Sequence, residues 1–279
     1  MLRTSRTIGI VLAVIATAGQ LRAQGEIQQV KPDSATTKAN KKLFTRRDLV
    51  MAGLWTTATL ALTPLDKHLA AKLQDSSVQA NRFFKQASKG VEVIATPGAY
   101  YIGGGLYLLG RATRHPRIAD LGWHGTEAVL MGEITSYTIK GVVGRARPLV
   151  QIDDPANFEF GRGFSAQQWR SFPSGHATTA FAAAAAVTDE TTLWWPKSTW
   201  IVGPLMYGGA TLVAVSRMYH NRHWASDVAV GALIGTFAGK KVVLASHANP
   251  KNAIDRVFLG GMIRPSQFGT LNVGWEKRW

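Results

Sequence analysis

Apolar stretches separated by short polar connections occupy most of the 279-residue chain. Strict alternation of apolar and polar positions, the pattern of a half-buried strand, is scarce before the C-terminal segment MIRPSQFGTLNVGWEKRW. We therefore predict an all-α fold, an up-and-down helical bundle of about six core helices, with extended structure only near the C-terminus. The predicted helices cover residues 46–63, 68–88, 94–110, 121–143, 175–188, 198–218 and 226–246.

The lengths of these apolar stretches bear on whether the bundle lies in a membrane. Residues 94–110 and 198–216 carry no charge and are nearly long enough to span a bilayer. The stretches 175–188 and 226–239 are followed by charged residues before they reach the length of a membrane span. The mean hydropathy of the chain is only −0.01. The balance favours a bundle embedded in or resting on a membrane, with a soluble bundle as the alternative.

The N-terminal segment has the three parts of a secretory signal. Arg3 and Arg6 precede an apolar run from Ile8 to Ala18, and Leu21-Arg22-Ala23 is a plausible cleavage site. An uncleaved anchor helix is the alternative. We expect export to the bacterial periplasm, or to the membrane with the active site facing the periplasm. The expected organisation is a signal peptide at 1–23, a flexible linker at 24–43, a helical domain at 44–250 and a C-terminal tail of uncertain structure at 251–279.

Composition narrows the classes of chemistry. The chain has no cysteine, which excludes disulfides and thiolate catalysis. Its 32 basic and 17 acidic residues give a formal net charge of +15, which favours anionic partners. The basic residues are scattered rather than arranged in a stripe with interleaved aromatics, so we do not expect nucleic acid as the partner. The composition says nothing about the oligomeric state.

Three notable segments each lie at an end of a predicted helix. In KGVVGRARP, Lys140 lies near the C-terminus of one predicted helix. Arg147 lies just after that C-terminus and is followed by Pro148. In SFPSGHATTAF, Ser174 is the expected N-cap of the next helix, and Gly175 would let an anion approach the free N–H groups there. His176 follows in the first turn. Each segment alone is also compatible with an ordinary helix terminus.

The third segment, SRMYHNRHWASD, combines a cation with two histidines and an acid. Arg217, His223 and Asp227 are separated by five and three intervening residues. If a helix begins near Ala225, the Asp227 carboxylate can accept the Nδ1 proton of His223 and leave Nε2 as a nucleophile or base. The alternatives are a solvated loop, or a transition-metal site formed by His220, His223 and Asp227.

Taken together, the three segments supply the parts that phosphoryl transfer requires. Lys140, Arg147 and Arg217 provide cations for the phosphoryl oxygens, and the helix start at Ser174 and Gly175 provides N–H donors. In an up-and-down bundle, the ends that carry these segments share one face, so the topology brings them together. We expect the active site at that end.

The combination Lys140-x6-Arg147-Pro148, Pro173-Ser174-Gly175-His176 and Ser216-Arg217-x5-His223-x3-Asp227 resembles the three-part signature of the type 2 phosphatidic acid phosphatase superfamily. The resemblance covers roughly residues 121–246. It implies that His223, oriented by Asp227, attacks phosphorus and forms a phosphohistidine, while His176 protonates the leaving group. It also implies a phosphate-binding set without metal or cofactor. That set comprises Lys140, Arg147, Ser174, Gly175 and Arg217.

The expected function is a metal-independent phosphomonoesterase acting on a lipid or isoprenoid phosphate or diphosphate. The alternatives are a broad-specificity soluble periplasmic acid phosphatase, a vanadium-dependent haloperoxidase, a His/Asp metal-binding module and a non-catalytic structural membrane protein. Several neighbouring residues receive structural interpretations. We expect an exposed supporting role for Arg145, a supporting or exposed position for His220, a Glu133–Lys140 ion pair, and no partner for His124 or His68.

Overall fold

A computed structural model describes residues 45–249, 252–259, 261–265 and 271–275. The expected signal peptide at 1–23 and the expected linker at 24–43 lie outside the described residues. The helices are α1 (Arg46–Leu62), α2 (Asp66–Leu73), α3 (Ser76–Gln79), α4 (Arg82–Val93), α5 (Ala99–Ala112), α6 (Pro116–Val143), α7 (Gly175–Trp194), α8 (Thr199–Tyr219), α9 (Ala225–Ala248) and α10 (Ala253–Phe258).

Helix α7 occupies the centre of the bundle, packed against α6, α8 and α9. Five of its seven alanines, among them Ala182, Ala184 and Ala185, are fully buried. Gly231, Gly235 and Gly239, spaced one turn apart on α9, lie so close to the α7 backbone that a Cβ at any of them would collide with it. Small side chains therefore bring the two helices to close approach, which fixes the start of α9 against the start of α7.

The all-α prediction is confirmed, and most of the predicted helix positions agree with the structure. The predicted helix at 68–88 is wrong as one element, because it divides into α2, α3 and α4. Asp75 and Asn81 cause the breaks, since each side chain caps the helix that follows it. Helices α6 and α7 are also longer than predicted, beginning at Pro116 and ending at Trp194 respectively.

The connection from Gly144 to Ser174 contains Arg147, one of the predicted site residues. Gly144, with φ +56°, ends α6 in the left-handed conformation that glycine adopts without strain. Short 3₁₀ turns at Arg162–Phe164 and Gln167–Trp169 then lead to α7. Near the C-terminus, β1 (Gly261–Pro265) and β2 (Leu271–Trp275) pair in antiparallel register, which agrees with the extended structure expected there.

Within residues 45–249, two helical segments are long and apolar enough to cross a membrane by length and composition alone. They are Pro196–Tyr219, which includes α8, and Ala225–Ala248, which is α9. In the described part of the chain, large apolar side chains also lie exposed on the outer faces of α5, α6 and α8. Examples are Ile102, Leu108, Met131, Ile134, Trp200 and Leu205.

Candidate active site

A cavity of about 660 Å³ opens at the end of the bundle where α6 and α8 finish and α7 and α9 begin. Six of the eight residues predicted for the site line it. These are Lys140, Arg147, Gly175, His176, Arg217 and His223. The other two, Ser174 and Asp227, are fully buried and lie behind the cavity wall. The topology therefore brings the three segments together as expected.

His223 lies at the back of the cavity, between α8 and α9. Its Nδ1 lies 2.7 Å from the backbone oxygen of Ser171, an acceptor only, so Nδ1 carries the hydrogen. That arrangement leaves Nε2 with a lone pair. Burial lowers the pKa of His223 to about 3, and the positive charges of Lys140 and Arg147 act in the same direction. His223 is therefore neutral near pH 7.

The expected hydrogen bond from His223 to Asp227 is not the one that orients the ring. The Asp227 Oδ2 atom lies 3.8 Å from Nδ1, beyond hydrogen-bond distance. Instead Oδ2 accepts from the Ser171 hydroxyl at 2.5 Å and from the Trp224 amide at 2.8 Å. Asp227 thus holds Ser171, whose carbonyl holds His223. Every residue has a backbone carbonyl, so the sequence could not show that the carbonyl of Ser171 is the acceptor.

Arg145 is buried and paired, so the expectation of an exposed supporting role is wrong. Its guanidinium donates to Asp227 Oδ1 at 2.6 Å and to Asp66 Oδ2 at 2.8 Å. The Pro155 carbonyl and the Ser226 hydroxyl accept its other hydrogens. Because Asp66 also accepts from the Ser226 amide, the network joins α2, the α6–α7 connection and α9. The network holds the Asp227 carboxylate through its Oδ1 atom.

Two cations of the cavity, Lys140 and Arg147, have no acid partner among the described residues. Lys140 donates to the backbone carbonyls of Pro173 and Arg170. The buried Nε atoms of Arg147 and Arg217 have no hydrogen-bond partner among the described residues. Burial lowers the pKa of Lys140 to about 7 and that of Arg147 to about 10, with repulsion from neighbouring arginines adding to both. Such a cluster is stabilised by an anion.

The start of α7 supplies the N–H donors. Ser174 occupies the N-cap position as predicted, although its side chain makes no capping bond, and its buried Oγ is unpartnered among the described residues. The Ser174 amide donates to the backbone oxygen of Asp227 at 2.9 Å, which ties α7 to α9. A Cβ at Gly175 would make only ordinary contact, 3.5 Å from Lys140 Cε. Protein packing therefore does not require the glycine.

His176 follows Gly175 on the cavity wall. Burial, followed by the positive charge of Arg217, lowers its pKa to about 4 in the empty site. An anionic substrate beside these cations would cancel part of that repulsion and raise the pKa of His176 again. The ring is thus placed to take up a proton when substrate binds.

Glu92, at the end of α4, is a cavity residue that the sequence analysis missed. Its carboxylate accepts from Arg217 and lies 2.7 Å from His220 Nδ1. The other ring nitrogen of His220 lies 2.9 Å from the Ser88 hydroxyl. His220 is accordingly half-buried and holds Glu92 rather than a ligand. No motif surrounds Glu92, so only its position at the end of an amphipathic helix could have drawn attention to it.

The alternative metal site and the expected Glu133–Lys140 ion pair are not found among the described residues. His220, His223 and Asp227 do not converge as metal ligands, because they are bonded to Glu92, Ser171 and Arg145 respectively. Glu133 accepts from the Tyr100 hydroxyl rather than pairing with Lys140 among the described residues. The carboxylate does line the cavity.

The sequence of this region matches a known family. The model of the PAP2 superfamily matches residues 122–251, which hold every site residue named at the sequence level. Residues 122–251 belong to the PAP2 superfamily. The match begins after α1 to α5, so Asp66 and Glu92 come from outside the PAP2 region.

Two curated relatives resemble parts of the chain. A lipid A 1-phosphatase of Porphyromonas gingivalis is 42% identical over 72 residues, which is 25% of this chain and 15% of the relative. An undecaprenyl-diphosphatase of Sulfolobus acidocaldarius is 29% identical over 135 residues, which is 47% of this chain and 55% of the relative. The chain therefore spans about half or less of the length of these relatives.

Two solved structures are also similar. Aquifex aeolicus LpxE aligns with a TM-score of 0.47 and 20% identity, over 64% of this chain and 95% of that one. A transmembrane PAP2 type phosphatidylglycerolphosphate phosphatase from Bacillus subtilis aligns with a TM-score of 0.32 and 20% identity, over 68% and 96%.

Proposed function

We propose that the protein is a phosphatase that hydrolyses a lipid or isoprenoid phosphate or diphosphate through a phosphohistidine at His223. One observation carries the proposal. A buried neutral histidine has its Nδ1 fixed on a carbonyl, and its ring faces a cavity of incompletely paired cations. A lone-pair nitrogen beside an anion cradle is the arrangement that attack on phosphorus requires.

In the first step His223 Nε2 attacks phosphorus, and the N–P bond forms as the bond to the leaving oxygen breaks. His176 gives its proton to that oxygen. In the second step His176 accepts a proton from water, whose oxygen attacks phosphorus as the N–P bond breaks. Inorganic phosphate leaves, and both histidines return to their starting forms.

The cradle stabilises the charge that develops on the phosphoryl oxygens. Lys140, Arg147 and Arg217 supply positive charge from three sides of the cavity, and the free amides at the start of α7 add fixed dipoles. Asp227 and Arg145 act as positioning residues, because Asp227 holds Ser171, Arg145 holds Asp227, and neither lines the cavity. In this scheme the charge stabilisation comes from the protein, so no metal takes part in the reaction.

A substrate that lies in the membrane would explain why the outer surface exposes large apolar side chains. The exposed apolar side chains of α5, α6 and α8 would contact lipid tails. Helix α4 exposes Phe83 and Phe84 beside Lys85 and Lys89, a composition suited to the lipid headgroup region, and its last turn carries the cavity residue Glu92. The relatives named for lipid A and for undecaprenyl diphosphate support the same substrate class. We place the protein in the bacterial envelope, with the cavity facing the periplasm.

The test is a phosphate-release panel with the full chain purified in detergent, with EDTA present throughout. Lipid A 1-phosphate, undecaprenyl diphosphate, phosphatidate and phosphatidylglycerol phosphate are compared with small soluble phosphate esters. We expect the lipid substrates to be hydrolysed faster, and acid quenching during turnover to trap an acid-labile, base-stable phosphoenzyme.

Two results would contradict the proposal. Faster hydrolysis of the soluble esters, with full activity in the absence of detergent, would indicate the soluble acid phosphatase instead. Turnover without any phosphoenzyme would exclude His223 as the nucleophile. The His223→Ala variant must lack the trapped phosphate, whereas the variant His68→Ala, at an exposed histidine of α2, must keep it.

A further inference from the structure

A second cluster of chemistry-bearing side chains lies at the opposite end of the bundle. His124 near the start of α6, Glu190 near the end of α7 and His247 near the end of α9 converge there, and Asp255 of α10 closes the group. Glu190 lies 15 residues after Gly175, so the rise of an α-helix places the cluster about 22 Å from the cavity. The proposed phosphatase reaction uses none of these residues.

The contacts within the cluster are those of donors that share a centre. Glu190 Oε1 contacts His124 Nδ1 and lies 2.8 Å from His247 Nε2. One ligand atom from each of the three residues lies within 4.8 Å of the other two. Four ligand atoms around a zinc ion lie roughly 3.3 Å apart, since each is about 2.0–2.1 Å from the metal. A movement of Glu190 by less than about 1 Å would make room for the ion.

Unpartnered buried atoms supply the second observation. Glu190 is fully buried, and its Oε2 has no hydrogen-bond partner among the described residues. His124 is 2% exposed, and its Nε2 is likewise without a hydrogen bond. A buried carboxylate oxygen left without a donor is costly, and a cation bound beside it would remove that cost.

The surroundings also suit a metal site. Asp255 Oδ1 lies 3.6 Å from His124 Nε2, on the far side of the ring from Glu190. A carboxylate at the outer nitrogen of a ligating histidine is the usual means of fixing the ring against a metal. The side chain of His247 is 39% exposed, which gives an ion a path from solvent. Two imidazoles with carboxylates are a donor set typical of zinc and similar divalent ions.

We infer that His124, Glu190 and His247 bind one divalent transition-metal ion, of the Zn²⁺ class, with Asp255 orienting His124. The ion would join α6, α7 and α9 at the end remote from the cavity, and α10 would cover it. Its role is structural, because no ligand reaches the phosphate-binding residues. Metal binding at this end is compatible with a metal-independent reaction at the other.

The experiment uses the full chain purified in detergent through a tag that contains no histidine. The protein is stripped with a chelator, dialysed against Zn²⁺ or Co²⁺ and then against buffer, and its metal content is measured. We expect about one ion per chain, and visible Co²⁺ absorption of the strength typical of four-coordinate sites. At zinc concentrations 100-fold above Kd, the melting temperature should rise by about 5 °C or more.

Matched variants assign the site. His247→Ala and Glu190→Gln should each abolish stoichiometric binding and the zinc-dependent rise in melting temperature. His68→Ala and His220→Ala, which remove histidines elsewhere, should leave both intact. If Glu190→Gln fails to fold, His247→Ala still decides, because that partly exposed side chain can be removed without emptying the core. The inference is overturned if the wild-type protein holds no stoichiometric ion, or if His247→Ala retains it.

Discussion

Helices α6, α7 and α9 each carry one group to the cavity end and one to the far end, and the two ends have opposite chemistry. At the cavity end, Lys140 and His176 lie among arginines, and burial with positive neighbours keeps the histidines neutral. At the far end, His124 and His247 share the carboxylate of Glu190. Histidines among cations suit attack on an anion, whereas histidines among carboxylates suit binding of a cation. The neighbours decide the chemistry, not the residue type.

The largest expected effect separates the two ends by activity. His223→Ala removes the nucleophile, so turnover should fall by about 10³-fold or more. His247→Ala removes a histidine from the far end of the same bundle and should change turnover by less than about twofold, since no reacting group is touched. Initial rates on the best lipid substrate measure both, with far-ultraviolet circular dichroism to verify helix content. A large rate loss in His247→Ala would mean that the two ends are coupled.

The next effect concerns the stability that the buried ion pairs of the cavity end contribute, compared with an exposed ion pair. At the cavity end Arg145 neutralises Asp66 and Asp227, and all three side chains are almost fully buried. Arg145→Met would leave two buried carboxylates without a cation, so we expect a loss of about 3–5 kcal/mol in the free energy of unfolding. Arg162→Met, which breaks an exposed pair with Glu159, should lose less than about 1 kcal/mol. Denaturant unfolding in detergent compares the two variants. Equal losses would show that the buried network contributes no more than a surface pair.

The two ends also differ in how far the sequence could predict them. The cavity residues lie in three short segments at helix ends, so helix positions and topology were enough to bring Lys140, His176 and His223 together. The far cluster draws its residues from three different helices, and His124 and His247 lie 66 and 57 residues from Glu190 in sequence. Each residue alone looked unremarkable, and nothing in the spacing links them. His124 accordingly has no recognisable partner pattern in the sequence.

Other details of the site were hidden for related reasons. The position of Arg145 depends on Asp66, 79 residues earlier and outside every motif, so its burial could not be foreseen from the segment around it. Glu92 reaches Arg217 across 125 residues of sequence. Tertiary pairs of single charges carry no periodic signal, whereas helix length and helix ends do.

A moderate effect follows from the titration of Lys140. Its lowered pKa, about 7, means that the ammonium is charged below pH 7 and loses its proton as the pH rises through 7. Sulfate keeps its charge over this range and can serve as a phosphate mimic. Its inhibition constant should therefore increase by about tenfold between pH 6 and pH 9, as one cation of the cradle is lost. In Lys140→Arg the inhibition constant should be nearly independent of pH, because an arginine stays charged. A pH dependence unchanged in that variant would assign the titration to another group.

The smallest effect concerns Glu92, the one carboxylate among the described residues that lines the cavity and contacts one of its phosphate-binding cations. Glu92 already occupies Arg217, as a substrate oxygen would, so an incoming anion must compete with it. Because the carboxylate is partly exposed, the competition should be modest, and Glu92→Gln should lower the sulfate inhibition constant by about threefold. Glu133→Gln is the matched control, since Glu133 also lines the cavity but accepts from Tyr100. It should change the constant by less than Glu92→Gln does. Weaker sulfate binding in Glu92→Gln would mean that Glu92 positions Arg217 for the anion instead of competing with it. The carboxylate would then serve the cavity end as Asp255 is proposed to serve the far end, by holding the residue that binds the ion.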